Sequence, residues 1–221
     1  MIRDDFDLEK HCDIHREKDP DATVFLFHGL NSTKRLNRGL MNYISQRKNV
    51  DLINCDARGY GSRRHLEEDW IETLNDYKTY LKNHPKDHLI FIGKSFGGAL
   101  PFQFQELNPE KIFVIGGLHN EKIDGGLFHR IRIGSKIHDL KERYKEFTPY
   151  ASEFDNSSQN LYLIHSTKDR VVPFSQFEKN VEHFNVPENQ QFIIEHKLPL
   201  FTHARTMNNR DAWEFIIENL F

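Results

Sequence analysis

The chain predicts an α/β fold: a doubly wound, mostly parallel sheet with helices on both faces. Three observations carry that prediction. Residues 89–92, 112–115 and 161–164 are near-continuous apolar runs, the pattern left by parallel strands buried on both faces. Between such runs apolar residues return at helical spacing, as in Trp70, Leu74, Tyr77 and Leu81, so strands and helices alternate. Glycine-bearing loops follow the runs, at His28-Gly29, at residues 56–61 and at residues 93–98.

In order, residues 23–27 form the first apolar strand, and Asn31 or Ser32 offers an N-cap for a helix carrying Leu36, Leu40, Tyr43 and Ile44. Residues 50–55 make the next strand. The helix through Trp70 and Leu81 stops before Pro85, because a residue preceding proline is pushed out of the helical region. The strand at 89–92 runs through a glycine-flanked serine into a helix over residues 99–104. Strands at 112–115, 161–164 and 191–195 follow, and a last helix runs from about residue 208 to the C-terminus. One segment breaks the alternation. Residues 118–160 are too many for a plain crossover, and Ile133, Ile137, Leu140, Tyr144 and Phe147 fall at a spacing of 4, 3, 4 and 3. The expected organisation is one domain over residues 1–221 with a short helical cap insertion at about 118–160.

Composition narrows the class of partner. Net charge is −3 and the 30 basic residues are scattered, so no phosphate-tracking stripe is present and no nucleic acid is expected. The first residues lack a basic and apolar leader, and no run is long enough for a membrane span. The two cysteines, Cys12 and Cys55, are too few for a disulfide framework. Cys55 reads as a small buried hydrophobe, and a reducing cytoplasm is the expected location. No metal quartet, P-loop or dinucleotide fingerprint stands in the chain, and no cofactor is expected.

The chemistry gathers on Ser95. In Gly93-Lys94-Ser95-Phe96-Gly97-Gly98 it lies between a strand and a helix, with glycines two residues to either side where neighbouring backbones leave no room for a Cβ. The N–H of Phe96 then stands at a helix N-terminus, where partial positive charge meets a developing oxyanion. A serine hydroxyl needs a base, and that base needs an orienting group. Asp169 follows the strand at 161–164, and His203 precedes the last helix, in the chain order Ser, Asp, His. His196, at the end of the last strand, is the rival base among 13 histidines. His28 reads as a loop-shaping residue. Arg58 reads as half of an ion pair with a nearby acid such as Asp56.

Taken together, these motifs resemble the α/β-hydrolase superfamily. The likeness runs from about residue 23 to the C-terminus. It rests on the serine turn, on the acid loop Lys168-Asp169-Arg170-Val171-Val172-Pro173, on His28-Gly29-Leu30 and on residues 56–62, which are similar to a D-x-R-G-x-G-x-S loop. Lys94 stands where that family often has histidine, and the region before the first core strand is short, so the antiparallel strands that often precede the core are truncated or missing. The resemblance implies a Ser95-Asp169-His203 triad, an oxyanion hole from the N–H groups of Leu30 and Phe96, and no cofactor. It implies a serine hydrolase acting on carboxylic esters of small to medium acyl groups. Thioester, acyl-peptide and carbon–carbon hydrolysis use the same triad, and a non-catalytic binding module is the reading from another class.

Overall fold

The structure is a computed structural model that describes residues 7–67, 69–84, 87–117, 160–196 and 202–221. Seven strands build one sheet: β1 (Cys12–His15), β2 (Ala22–Phe27), β3 (Val50–Cys55), β4 (Leu89–Lys94), β5 (Lys111–Ile115), β6 (Leu161–Ser166) and β7 (Gln191–Ile194). Their spatial order is β1-β3-β2-β4-β5-β6-β7. The strand β1 pairs antiparallel with β3, and every other pairing is parallel. The order reverses between β2 and β4, so the carboxyl ends of these central strands form the switch point where α/β proteins build their sites.

Period-two alternation divides the apolar side chains between two cores. Phe25, Phe27, Ile53 and Phe91 enter one, with Tyr77, Phe102, Phe104 and Phe184. Val24, Leu26, Leu52 and Ile92 enter the other, with Leu40, Ile44, Trp213 and Ile216. All six residues of β2, β3 and β4 are buried, because both faces of the sheet are covered. The described helices are α1 (Leu8–His11), α2 (Arg38–Ser45), α3 (Trp70–Asn83), α4 (Phe174–Phe184), α5 (Thr202–Met207) and α6 (Arg210–Glu218). Asp69 caps α3 by accepting the Glu72 N–H at 2.9 Å, and Trp70, Leu74, Tyr77 and Leu81 are all buried on one face.

Several elements depart from the sequence expectations. The helix after β2 does not start at Asn31 or Ser32: Asn31 takes a φ of 52°, Thr33 caps a short 3₁₀ turn (Lys34–Leu36), and α2 begins only at Arg38. After Ser95 the chain makes 3₁₀ turns (Ser95–Gly98, Leu100–Leu107) rather than an α-helix, with a break at Phe104. Pro101 has no N–H to donate and Gly97-Gly98 is a poor helix former, so regular i to i+4 bonding is not sustained there. The last helical region is divided into α5 and α6, with Asn209 capping α6 by accepting the Ala212 N–H at 2.9 Å. Among its described residues the short N-terminal region supplies a single antiparallel strand, β1.

That strand also corrects the reading of the cysteines. Cys12 lies directly opposite Cys55 in the β1–β3 register, with Cα atoms 4.0 Å apart, and the two form a disulfide. Neither position announces the other in sequence, because the pairing follows from which strand lies at the sheet edge. The proposed cap at 118–160, with Ile137, Leu140 and Tyr144, falls outside the described residues but for its last position. Among the described residues no helix is long and apolar enough to cross a membrane.

Candidate active site

Ser95 sits just beyond the carboxyl end of β4 with a φ of 54°, a left-handed backbone that a non-glycine residue adopts only when its surroundings hold it there. Its neighbours explain the glycines. A Cβ on Gly93 would come within 2.2 Å of the Gly97 carbonyl oxygen, and one on Gly97 within 2.6 Å of the Phe27 and His28 carbonyl oxygens. Only hydrogen at those positions lets the turn close against β2.

His203 and Asp169 meet at this turn. His203 Nε2 is 2.9 Å from Ser95 Oγ, and His203 Nδ1 is 2.7 Å from Asp169 Oδ2. Asp169 is buried, and its second oxygen accepts the N–H groups of Val171 (2.8 Å) and Val172 (3.0 Å). Burial alone raises a carboxyl pKa, but the hydrogen bond from His203, together with the imidazole charges and the Val172 N–H, outweighs it and holds Asp169 below the usual carboxylate range. An ionised Asp169 accepts the Nδ1 proton, which leaves the Nε2 lone pair facing the Ser95 hydroxyl. The Thr202 hydroxyl donates to the Lys168 carbonyl at 2.7 Å and so ties α5 to the acid loop. His203 lies on α5 itself, where sequence placed it in a loop before the last helix. His196 instead lines a surface depression with Arg205, Asn208 and Arg210.

The loop after β2 lies against the serine. A Cβ on Gly29 would be 3.0 Å from Ser95 Cβ, so Gly29-Leu30 passes beside the hydroxyl, and the Phe96 N–H follows directly after Ser95. The 3₁₀ turn gives Phe96 a local N–H rather than the summed dipole of a long helix. His28 is buried and holds the loop from behind: the Ala57 N–H donates to its Nε2 at 3.0 Å, and its Nδ1–H donates to the Gly29 carbonyl at 2.9 Å. Burial pushes the His28 pKa down, in keeping with the neutral ring this pattern requires.

The family described as serine aminopeptidase, S33, matches residues 18–116. No curated protein sequence matched significantly. An esterase from Exiguobacterium antarcticum is 13% identical with a TM-score of 0.60, covering 95% of this chain and 92% of that one. A serine hydrolase from the polyaromatic-hydrocarbon-degrading bacterium Cycloclasticus zankles is 11% identical with a TM-score of 0.67, covering 95% and 94%. The chain has the α/β-hydrolase fold. Another neighbour within that fold, the meta-cleavage product hydrolase of Pseudomonas fluorescens, is 14% identical with a TM-score of 0.64, covering 94% and 93%.

Around this site two polar residues, Arg58 and Asp56, have partners that sequence did not identify. Arg58 pairs with Asp76 on α3 at 2.8 and 3.1 Å, not with Asp56. Asp76 also takes Arg63, whose side chain is fully buried. Asp56 accepts instead from the N–H groups of Lys34 (2.8 Å) and Ser62 (2.9 Å) and from the Ser62 hydroxyl (2.9 Å), fastening the loop after β3 to the chain beyond Leu30. His165 was not singled out in sequence. It is buried at the end of β6, and its Nε2–H donates at 3.0 Å to the carbonyl of Val172, the residue whose N–H holds Asp169. A histidine inside an apolar strand was the available signal.

Proposed function

We propose that this protein of α/β-hydrolase fold is a serine hydrolase that cleaves carboxylic esters of small to medium acyl groups. The observation that carries the reading is the continuous hydrogen-bonded series from Ser95 Oγ through the His203 ring to Asp169. In this reading Ser95 Oγ attacks the acyl carbon while its proton passes to His203 Nε2. The negative charge that develops on the carbonyl oxygen lies between the N–H groups of Leu30 and Phe96. The tetrahedral adduct then collapses, the ester C–O bond breaks, and His203 returns the proton to the departing alcohol. Water repeats the sequence on the acyl-Ser95 ester and releases the acid. Asp169 stays ionised throughout, keeping the ring oriented and stabilising its cationic form.

The test is active-site labelling with a fluorophosphonate, joined to a panel of p-nitrophenyl esters, acyl thioesters, aminoacyl amides and a vinylogous diketone as a carbon–carbon substrate. Labelling of wild type but not of Ser95→Ala, with turnover of short and medium esters, supports the reading. Preference for another acyl class moves the substrate while keeping the serine mechanism. Absence of both labelling and turnover overturns it in favour of a binding module.

A further inference from the structure

Lys94 immediately precedes the nucleophile, and none of the chemistry above uses it. It is fully buried. Its Nζ donates to the Leu36 carbonyl at 3.2 Å and stands 5.7 Å from the centre of the Trp213 ring, and among the described residues no carboxylate pairs with it. Burial lowers its pKa to about 7. A lysine so placed is costly, and an apolar side chain of similar length would fill the same space without that cost.

The place its hydrogen bond ends accounts for keeping it. Leu36 closes the 3₁₀ turn that follows the Gly29-Leu30 loop. The rest of that segment is fastened to β3 and the loop after it: Asn54 donates to the Lys34 carbonyl at 2.8 Å, Asn37 donates to Asn54 at 3.0 Å, and Asp56 takes the Lys34 N–H. Those contacts set the segment against β3 and leave its distance from Ser95 to other restraints. Lys94 spans from the serine turn itself. Its backbone sets the position of Ser95, and its ammonium holds the segment that carries Leu30.

We propose that Lys94 is a positioning residue that ties the nucleophile turn to the oxyanion loop, setting the distance between Ser95 Oγ and the Leu30 N–H. This rests on the hydrolase reading above. The Nζ donor supplies it, and the aliphatic stem alone does not.

Lys94→Met keeps the stem and removes the donor, and Lys94→Gln keeps a shorter donor as a second variant should the first fold poorly. On the best p-nitrophenyl ester, Lys94→Met is expected to lower kcat about tenfold with KM within about twofold, because the loss falls on the oxyanion rather than on ground-state binding. Affinity for an alkylboronic acid, which forms a tetrahedral adduct on Ser95, is expected to fall by about the same factor. The melting temperature is expected to hold or rise. Unchanged kcat and boronate affinity in a folded variant overturn the proposal, as does a fall in kcat matched by a fall in folded fraction. If wild type neither labels with fluorophosphonate nor turns over an ester, the hydrolase reading itself has failed. A labelled, active wild type beside an equally active Lys94→Met rejects the positioning role alone.

Discussion

In the proposed mechanism Asp169 acts by staying charged. Its hydrogen bonds hold its pKa below the usual carboxylate range, so the carboxylate persists as the solution is acidified; kcat/KM is expected to fall as pH drops, because a general base must be unprotonated to take the Ser95 proton. Asp169→Asn presents an amide where the imidazole needs an acceptor, which favours the wrong tautomer; kcat is expected to fall roughly a thousandfold or more with the fold intact by circular dichroism. His203→Ala should be as damaging and His196→Ala mild, since His203 meets Ser95 while His196 lines a surface depression. Equal losses would remove His203 from the mechanism. Lys94 gives a stability signature of opposite sign to an ordinary ion pair. Its pKa falls to about 7 on folding, so between there and the ordinary lysine value the unfolded chain binds more protons and stability rises with pH. Below that window both states are charged and the folded state bears the full cost of burial. Chemical denaturation from pH 6 to 10 should show wild type gaining on Lys94→Met as pH rises; parallel curves would show that the ammonium is better solvated than its burial implies.

Among the elements, the serine turn is held by contacts too close to relax. Gly97→Ala would drive a Cβ into the carbonyl oxygens of Phe27, the last residue of β2, and of His28, and both overlapping groups are backbone. The expected result is loss of activity with a destabilisation of about 3 kcal/mol, read by urea unfolding. The loop after β3 is held differently, through α3. Asp76 neutralises both Arg58, whose side chain is partly exposed, and Arg63, whose side chain is not. Asp76→Ala removes the carboxylate that both guanidiniums share, one of them buried, and should cost more than Arg58→Ala, about 3 kcal/mol against about 1 kcal/mol or less. Similar losses in the two variants would show that Arg63 finds other compensation.

Across the whole molecule, the sheet edge is closed covalently. The Cys12–Cys55 bond joins β1 to β3 across a sequence separation of 43, and a loop of that size is worth about 4 kcal/mol by chain-entropy reasoning. Its removal by Cys12→Ser or by dithiothreitol is expected to lower the melting temperature by several degrees while leaving ester turnover at 25 °C nearly unchanged, because Ser95 after β4, Asp169 after β6 and His203 on α5 lie away from that edge. Loss of activity on reduction at a temperature where the chain remains folded would instead tie the edge strand, through the hydrogen bond from Ala57 to His28, to the loop after β2.

The α/β class, the order of the parallel strands along the chain and the serine turn were legible in sequence because each leaves a local mark. A strand covered on both faces is an unbroken apolar run, as in β4, and a turn that presses backbone on backbone needs glycine at fixed offsets, as at Gly93 and Gly97. What the tertiary structure alone decided was which distant groups meet. Cys12 found Cys55 because β1 lies antiparallel at the edge. Arg58 took Asp76 rather than the nearer Asp56 because α3 brings that carboxylate under the loop while Asp56 turns to Lys34 and Ser62. His203 rather than His196 stands at Ser95 because α5 folds back over the ends of β4 and β6. Lys94 reads in sequence as a departure at a place where the resembled family often has histidine, and its burial comes with the 3₁₀ turn at Leu36 and Trp213 of α6 lying against it. Side-chain periodicity is set by residues a few positions apart, whereas these pairings depend on strand order and helix docking, which no local pattern encodes.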